Sequence, residues 1–169
     1  MSLRLATVLW LGLVCALGDA TQAQGAPSPP AIQLRLDGKP AYLIDEAALV
    51  TMRRVTVRAA LPGGPVRSWQ GVALEDIVRR TCVASDDALA GRALARFVRV
   101  SGADGSQVVF SAAELDDDFG GTAVILADRV DGQPLTNDGP FRLIVPHDRR
   151  GDRSMAQVTT VEVVDASTP

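Results

Sequence analysis

The strongest chemical signal in this chain lies near its C-terminus, where Arg149, Arg150, Arg153 and Ser154 fall within six residues of one another in Pro146-His147-Asp148-Arg149-Arg150-Gly151-Asp152-Arg153-Ser154-Met155-Ala156. Guanidinium groups hold oxyanions through charge-assisted, often paired hydrogen bonds. Such a cluster is able to hold an anion, and a solvated basic loop is the commoner fate of surface charge. His147, the one histidine, has no second ligand or nucleophile beside it and reads as a loop histidine. Asp116-Asp117-Asp118 lacks the alternation and the closing glutamate of a calcium loop, so it reads as a solvated turn. No catalytic set and no metal-ligand set emerges from these residue types and spacings.

The elements that position this loop are mostly short strands. Ile32, Leu34 and Leu36 alternate with Gln33 and Arg35 up to the Asp37-Gly38 turn, as in a half-buried strand. Asp45 caps a short helix through Leu49. Val55 and Val57 alternate with arginine and threonine until Pro62-Gly63-Gly64-Pro65 stops the strand, and Val66 to Gln70 returns as its hairpin partner. The clearest helix runs from Ala73 to Val83, acidic at its start (Glu75, Asp76) and basic further on (Arg79, Arg80), which suits the helix dipole. Phe97 to Val100 and Val108 to Phe110 form a hairpin around Asp104-Gly105. Ser111 and Glu114 stand at capping-box spacing. Strands at Ala123–Ala127, Arg142–Val145 and Val158–Val164 complete an α+β domain, a compact mixed β-sheet core with short helices.

The first residues belong elsewhere. Arg4 and the apolar run Leu5 to Leu17, followed by small residues up to Ala20 or Ala23, read as a secretory signal peptide over 1–23. A small, proline-rich leader covers 24–31. One domain occupies 32–165 and a short tail 166–169. The expected location is the periplasm or the medium, with no transmembrane span after cleavage. A net charge of -3 and an aromatic content of 4% argue against a nucleic-acid partner. One cysteine, Cys82, remains after cleavage. It leaves no intramolecular disulfide to form, and it reads as a small buried hydrophobe.

Several phrases in order, GVALEDIV at 71–78, SGADGSQVVFSAAEL at 101–115, and LADRVDGQPL with GPFRLIVP at 126–146, resemble the molybdopterin-binding domain of the sulfite oxidase family. The resemblance spans roughly 32–165 and implies a mixed fold around a β-sheet core, with a pterin cofactor in a polar cleft. In catalytic members a cysteine just before the glycine of the GVAL-like phrase binds molybdenum through its thiolate, a soft ligand. Here Val55 to Gly71 contains no cysteine. Those members also carry a Gly-aromatic-Lys-Ser-x-Lys phrase that grips the cofactor phosphate. The match is Gly151 to Ala156, where Gly151 and Ser154 agree, Arg153 keeps the charge and Ala156 replaces the second lysine. Ser106 stands where many relatives have an aromatic residue. The signal segment lacks the arginine pair used to export proteins already loaded with such a cofactor.

The resemblance and its departures together lead to one expectation: an exported, non-catalytic, molybdopterin-domain-like protein that binds a small anionic ligand or a periplasmic protein partner. Arg149, Arg150, Arg153 and Ser154 are its candidate cofactor- or ligand-binding residues, with molybdopterin itself not expected. The alternatives are a molybdopterin-dependent oxidoreductase using an oxygen donor such as Ser68, or an accessory subunit of a redox complex.

Overall fold

The computed structural model describes residues 30–81 and 89–167. The segment expected to be a signal peptide, most of the expected leader, Cys82 and the last two residues lie outside that range. Among the described residues, ten strands and three short α-helices follow in the order β1 (Ala31–Leu36), β2 (Lys39–Asp45), α1 (Glu46–Val50), β3 (Arg54–Ala60), β4 (Val66–Ala73), α2 (Leu74–Thr81), β5 (Arg96–Gly102), β6 (Gln107–Ser111), α3 (Ala112–Leu115), β7 (Ile125–Val130), β8 (Gln133–Pro134), β9 (Arg142–Ile144) and β10 (Val158–Asp165). The fold is the expected α+β class, with the strands dominant.

The strands form two sheets. The first has the order β2-β1-β10-β5-β6, antiparallel except where β1 runs parallel to β10. The second has the order β3-β4-β7-β8, with β9 also paired to β7. Local chemistry explains the joints. Asp37 and Gly38 both have positive φ, and so do Asp131 and Gly132, the backbone that a tight hairpin turn demands and that Asp-Gly tolerates. The Asp45 carboxylate accepts from the Ala48 amide and the Ser111 hydroxyl from the Glu114 amide, starting α1 and α3. β2 is the one long strand that the alternation does not announce. It opens with Lys39-Pro40 and lies at the sheet edge, where proline is tolerated because no neighbour needs its missing N–H.

The main core collects Ile32 and Leu34 of β1, Val98 and Val100 of β5, and Val161 and Val163 of β10 from the first sheet. Val72, Leu126 and Leu143 join them from the second, with Leu74 and Ile77 of α2. A second cluster holds Ala59, Trp69, Ile125, Ala127, Val130 and Ile144. Leu126 thus joins one cluster and its neighbours Ile125 and Ala127 the other, as the period of two requires of a strand buried on both faces.

Val130 breaks that period, and the register says why. Gln70 pairs with Arg129 but Gly71 pairs with Ala127, so Asp128 is an extra residue, a β-bulge. Ala127 and Val130 consequently join one cluster although they are three residues apart. Opposite the bulge, β4 and β7 approach so closely that a Cβ on Gly71 would lie 2.0 Å from the Leu126 carbonyl oxygen. Among the described residues no helix is long and apolar enough to cross a membrane.

Candidate functional site

The loop that follows β9 returns to the end of β3. Gly151 is buried and has φ +69, and a Cβ built on it would stand 3.2 Å from Cδ of Pro62 and 3.9 Å from the carbonyl oxygen of Ala60. The basic loop and the Val55–Gly71 segment, far apart in sequence, therefore meet in space. At the meeting point β3 ends in Ala59-Ala60 and the chain runs on through Leu61-Pro62, which together offer carbonyls and alkyl groups but no thiol.

The four predicted binding residues have different fates. Arg153 donates from Nε to Asp148 Oδ2 at 2.8 Å, from Nη2 to Asp148 Oδ1 at 2.6 Å and from Nη1 to Glu114 Oε1 at 2.9 Å. Its guanidinium also lies 4.9 Å from the ring centroid of Phe110, which is 1% exposed. The hydrogen bond from Arg153 holds the Asp148 carboxyl below the usual range, against the opposing effect of burial. The same bond, ahead of the one to Glu114, raises the guanidinium's own value. Arg153 is therefore neutralised from within. The Ser154 hydroxyl accepts from the Val145 amide at 3.0 Å. Arg150 is exposed and pairs with Asp152 at 2.6 Å. Arg149 is exposed and, among the described residues, has neither hydrogen bond nor ion pair.

The two arginine clusters do not merge. Arg53 pairs with Asp76 at 3.6 Å, and both terminal nitrogens of Arg54 bond the Asp128 carboxylate. Arg54 opens β3 and Arg53 precedes it, roughly 20 Å along the strand from its end. Arg58 lies nearer that end, exposed. Ser68 pairs in register with Arg58, and its amide donates to Asp131 at 2.9 Å. His147 is exposed.

One buried cation escaped the sequence reading. Arg142 opens β9, its side chain 12% exposed and paired with Asp138 at 2.8 Å, its guanidinium 5.8 Å from the Trp69 ring centroid. Its Nε is buried without a hydrogen-bond partner. Trp69 in turn donates to the Ala59 carbonyl at 3.1 Å, so this cation lies one ring away from the end of β3. The available signal was a charge inside the apolar run Phe141-Arg142-Leu143-Ile144-Val145, because a buried charge needs a partner and so marks either a pair or a site.

The model of the oxidoreductase molybdopterin binding domain matches residues 50–169. The chain belongs to that family. Among solved structures it is similar to the sulfane dehydrogenase SoxCD from Paracoccus pantotrophus. The TM-score is 0.61 at 17% identity over 82% of this chain and 39% of that one, a likeness of fold. This chain thus spans well under half the length of that relative. No curated protein sequence matches it.

The molybdopterin-domain frame is thus present, and its residues can be tested against the metal-bearing cofactor that the family name implies. A soft metal needs a thiolate, and the end of β3 has alkyl groups instead. In the basic loop, Arg153 and Ser154 are spent on Asp148, Glu114 and Val145. Nε of Arg142, like that of Arg35, is a buried donor without a partner among the described residues. Among the described residues, those at the end of β3 and in the basic loop do not fit a metal-bearing pterin.

Proposed function

We propose that this protein is an exported, non-catalytic member of the molybdopterin-domain family, working in the periplasm or outside the cell as a binding module for a small ligand with an anionic group or for a protein partner. The observation that carries this reading is the β3 end packed against the Gly151 loop, with alanine, leucine and proline in place of a sulfur ligand. Exposed Arg149 and Arg150 supply unburied positive charge beside it.

The test is the molybdenum and pterin content of protein purified from its native host, by elemental analysis and by fluorescence of the oxidised pterin. Neither is expected. Molybdenum and pterin near one per chain would overturn the reading and direct attention to an oxygen donor such as Ser68.

A second reading, an accessory subunit of a redox complex, draws support from the likeness to the sulfane dehydrogenase SoxCD. On that reading the protein leaves a native extract in a defined complex with a redox protein. A clean monomer from the same extract removes it.

A further inference from the structure

β3 lies at the end of its sheet: β4 pairs with it on one side and, among the described residues, no strand pairs with it on the other. Its neighbour reveals which backbone groups face that open edge. Ser68 of β4 turns both of its own toward β7, the carbonyl accepting from the Asp131 amide at 2.7 Å and the amide donating to the Asp131 carboxylate at 2.9 Å. Arg58, its partner in register, therefore stands in a non-hydrogen-bonded pair, its N–H and C=O directed away from β4. By the period of two, Thr56 and Arg54 do the same, while Val55 and Val57 bond β4. Proline and bulges commonly blunt such an edge. β2 has Lys39-Pro40 and a register shift, whereas β3 has no proline and keeps its register with β4 throughout.

The two faces that flank this edge differ. Arg54, Thr56 and Arg58 are exposed on one, and Val55 and Val57 lie half-buried against the Trp69 cluster on the other. Arg54 is already held by the Asp128 carboxylate, with Glu46 adding negative charge nearby. Arg58 has neither hydrogen bond nor ion pair among the described residues. Where the strand ends, Gly151 stands against the Ala60 carbonyl and Pro62, and exposed Arg149 and Arg150 directly precede it. Open backbone and unpaired positive charge thus lead into the site described above.

We propose that β3 takes up an extended segment of a partner protein as an additional strand, one in which acidic and apolar residues alternate. Side chains of directly paired residues share a face. Residues opposite Arg58, and beyond it toward Arg149 and Arg150, then meet positive charge, while those between them lie beside Val55 and Val57. Main-chain hydrogen bonds supply affinity and the alternation supplies specificity. A second copy of this chain fits poorly, because pairing the whole open edge with itself about Thr56 sets Arg54 opposite Arg58 at both ends. The proposal rests on the protein-partner reading above and names the chemistry of that partner.

The experiment is amide hydrogen exchange, followed by NMR on isotope-labelled protein, with short end-capped peptides as probes. One alternates glutamate with valine, a second holds the same residues in separate blocks, and a third carries lysine in place of glutamate. At about ten times its Kd the alternating glutamate peptide should slow exchange about tenfold at the amides of Arg54, Thr56 and Arg58. The block and lysine peptides should give no such protection. Thr56→Pro deletes an outward N–H that β4 does not use, and should abolish the binding. Arg58→Glu should weaken it roughly tenfold or more, and Arg58→Lys should keep most of it. Retained protection at Val55 and Val57 reports in each variant that β3 is still paired with β4. No protection at Arg54, Thr56 and Arg58 at millimolar peptide, or equal protection from the block peptide, would overturn the proposal. Shifts confined to Arg149 and Arg150 would also overturn it, in favour of a small anion on the basic loop. Protection that grows with protein concentration and needs no peptide would replace the partner by a second copy. Finding molybdenum would sink the binding-module reading and leave these outcomes unchanged, so the two failures are distinguishable.

Discussion

Gly71→Ala is expected to lower the stability by about 4 kcal/mol, at the upper end of what overpacking costs. The added methyl would stand 2.0 Å from the Leu126 carbonyl oxygen, 2.6 Å from the Leu126 carbonyl carbon and 2.6 Å from the Ala127 Cα. All three are backbone atoms, so no rotamer change relieves the clash, and the β4–β7 ladder must part beside the bulge. That ladder carries Val72 and Leu126, both 0% exposed, into the core. For a domain whose whole stability is of order 5–15 kcal/mol, the variant would sit close to unfolding. Gly64→Ala is the control: a Cβ there meets only the Leu61 carbonyl oxygen at 3.5 Å, in ordinary contact, and should change stability by less than about 0.5 kcal/mol. Urea titration of both variants checks the pair. Coincident midpoints would show that the two strands have room the structure does not record.

The same bulge marks where reading the chain reaches its limit. Strand alternation around Ile32–Leu36 and Val55–Val57, the Asp-Gly turns and the Asp45 and Ser111 caps all appear in the structure, because each is decided by residues within a few positions of one another. The phrases that resemble the molybdopterin domain match the family found. What local pattern does not encode is partnership at a distance. Ser111 and Glu114 form half of a capping box: the serine accepts from the Glu114 amide, but the Glu114 carboxylate turns to Arg153, 39 residues away. Nothing in Ile125-Leu126-Ala127-Asp128-Arg129-Val130 announces that Asp128 is extra, since that follows from its register with Gln70 and Gly71. The same limit hid Arg142, whose meaning depends on Trp69 and Asp138. For the anion loop, charge was legible and availability was not.

Arg153 shows what that difference is worth. Its guanidinium joins three parts of the fold: Asp148 in its own loop, Glu114 on α3 and Phe110 on β6. Arg153→Ala removes three charge-assisted hydrogen bonds and a cation–π contact, and leaves two carboxylates facing each other without a cation. Hydrogen bonds to charged groups contribute roughly 1.5–3 kcal/mol each in favourable sites. The side chain of Arg153 is 35% exposed, however, so solvent screens part of this. A net loss of about 2–3 kcal/mol is expected. Arg153→Lys should recover less than half of it, because an ammonium cannot make the planar two-point contact with Asp148 and reach Glu114 as well. The pH dependence gives the sign. Arg153 holds the folded Asp148 below the usual carboxylate value, so the unfolded chain takes up that proton first as pH falls. The stabilisation is fully present above the unfolded value of about 3.9 and is lost as pH drops through the folded one. The gap between wild type and Arg153→Ala should therefore be constant near neutrality and narrow below about pH 4. Urea unfolding of both proteins at neutral and acid pH measures it. A gap that stays the same in acid would mean that Arg153 acts by packing on Phe110, its charge free for a bound anion after all.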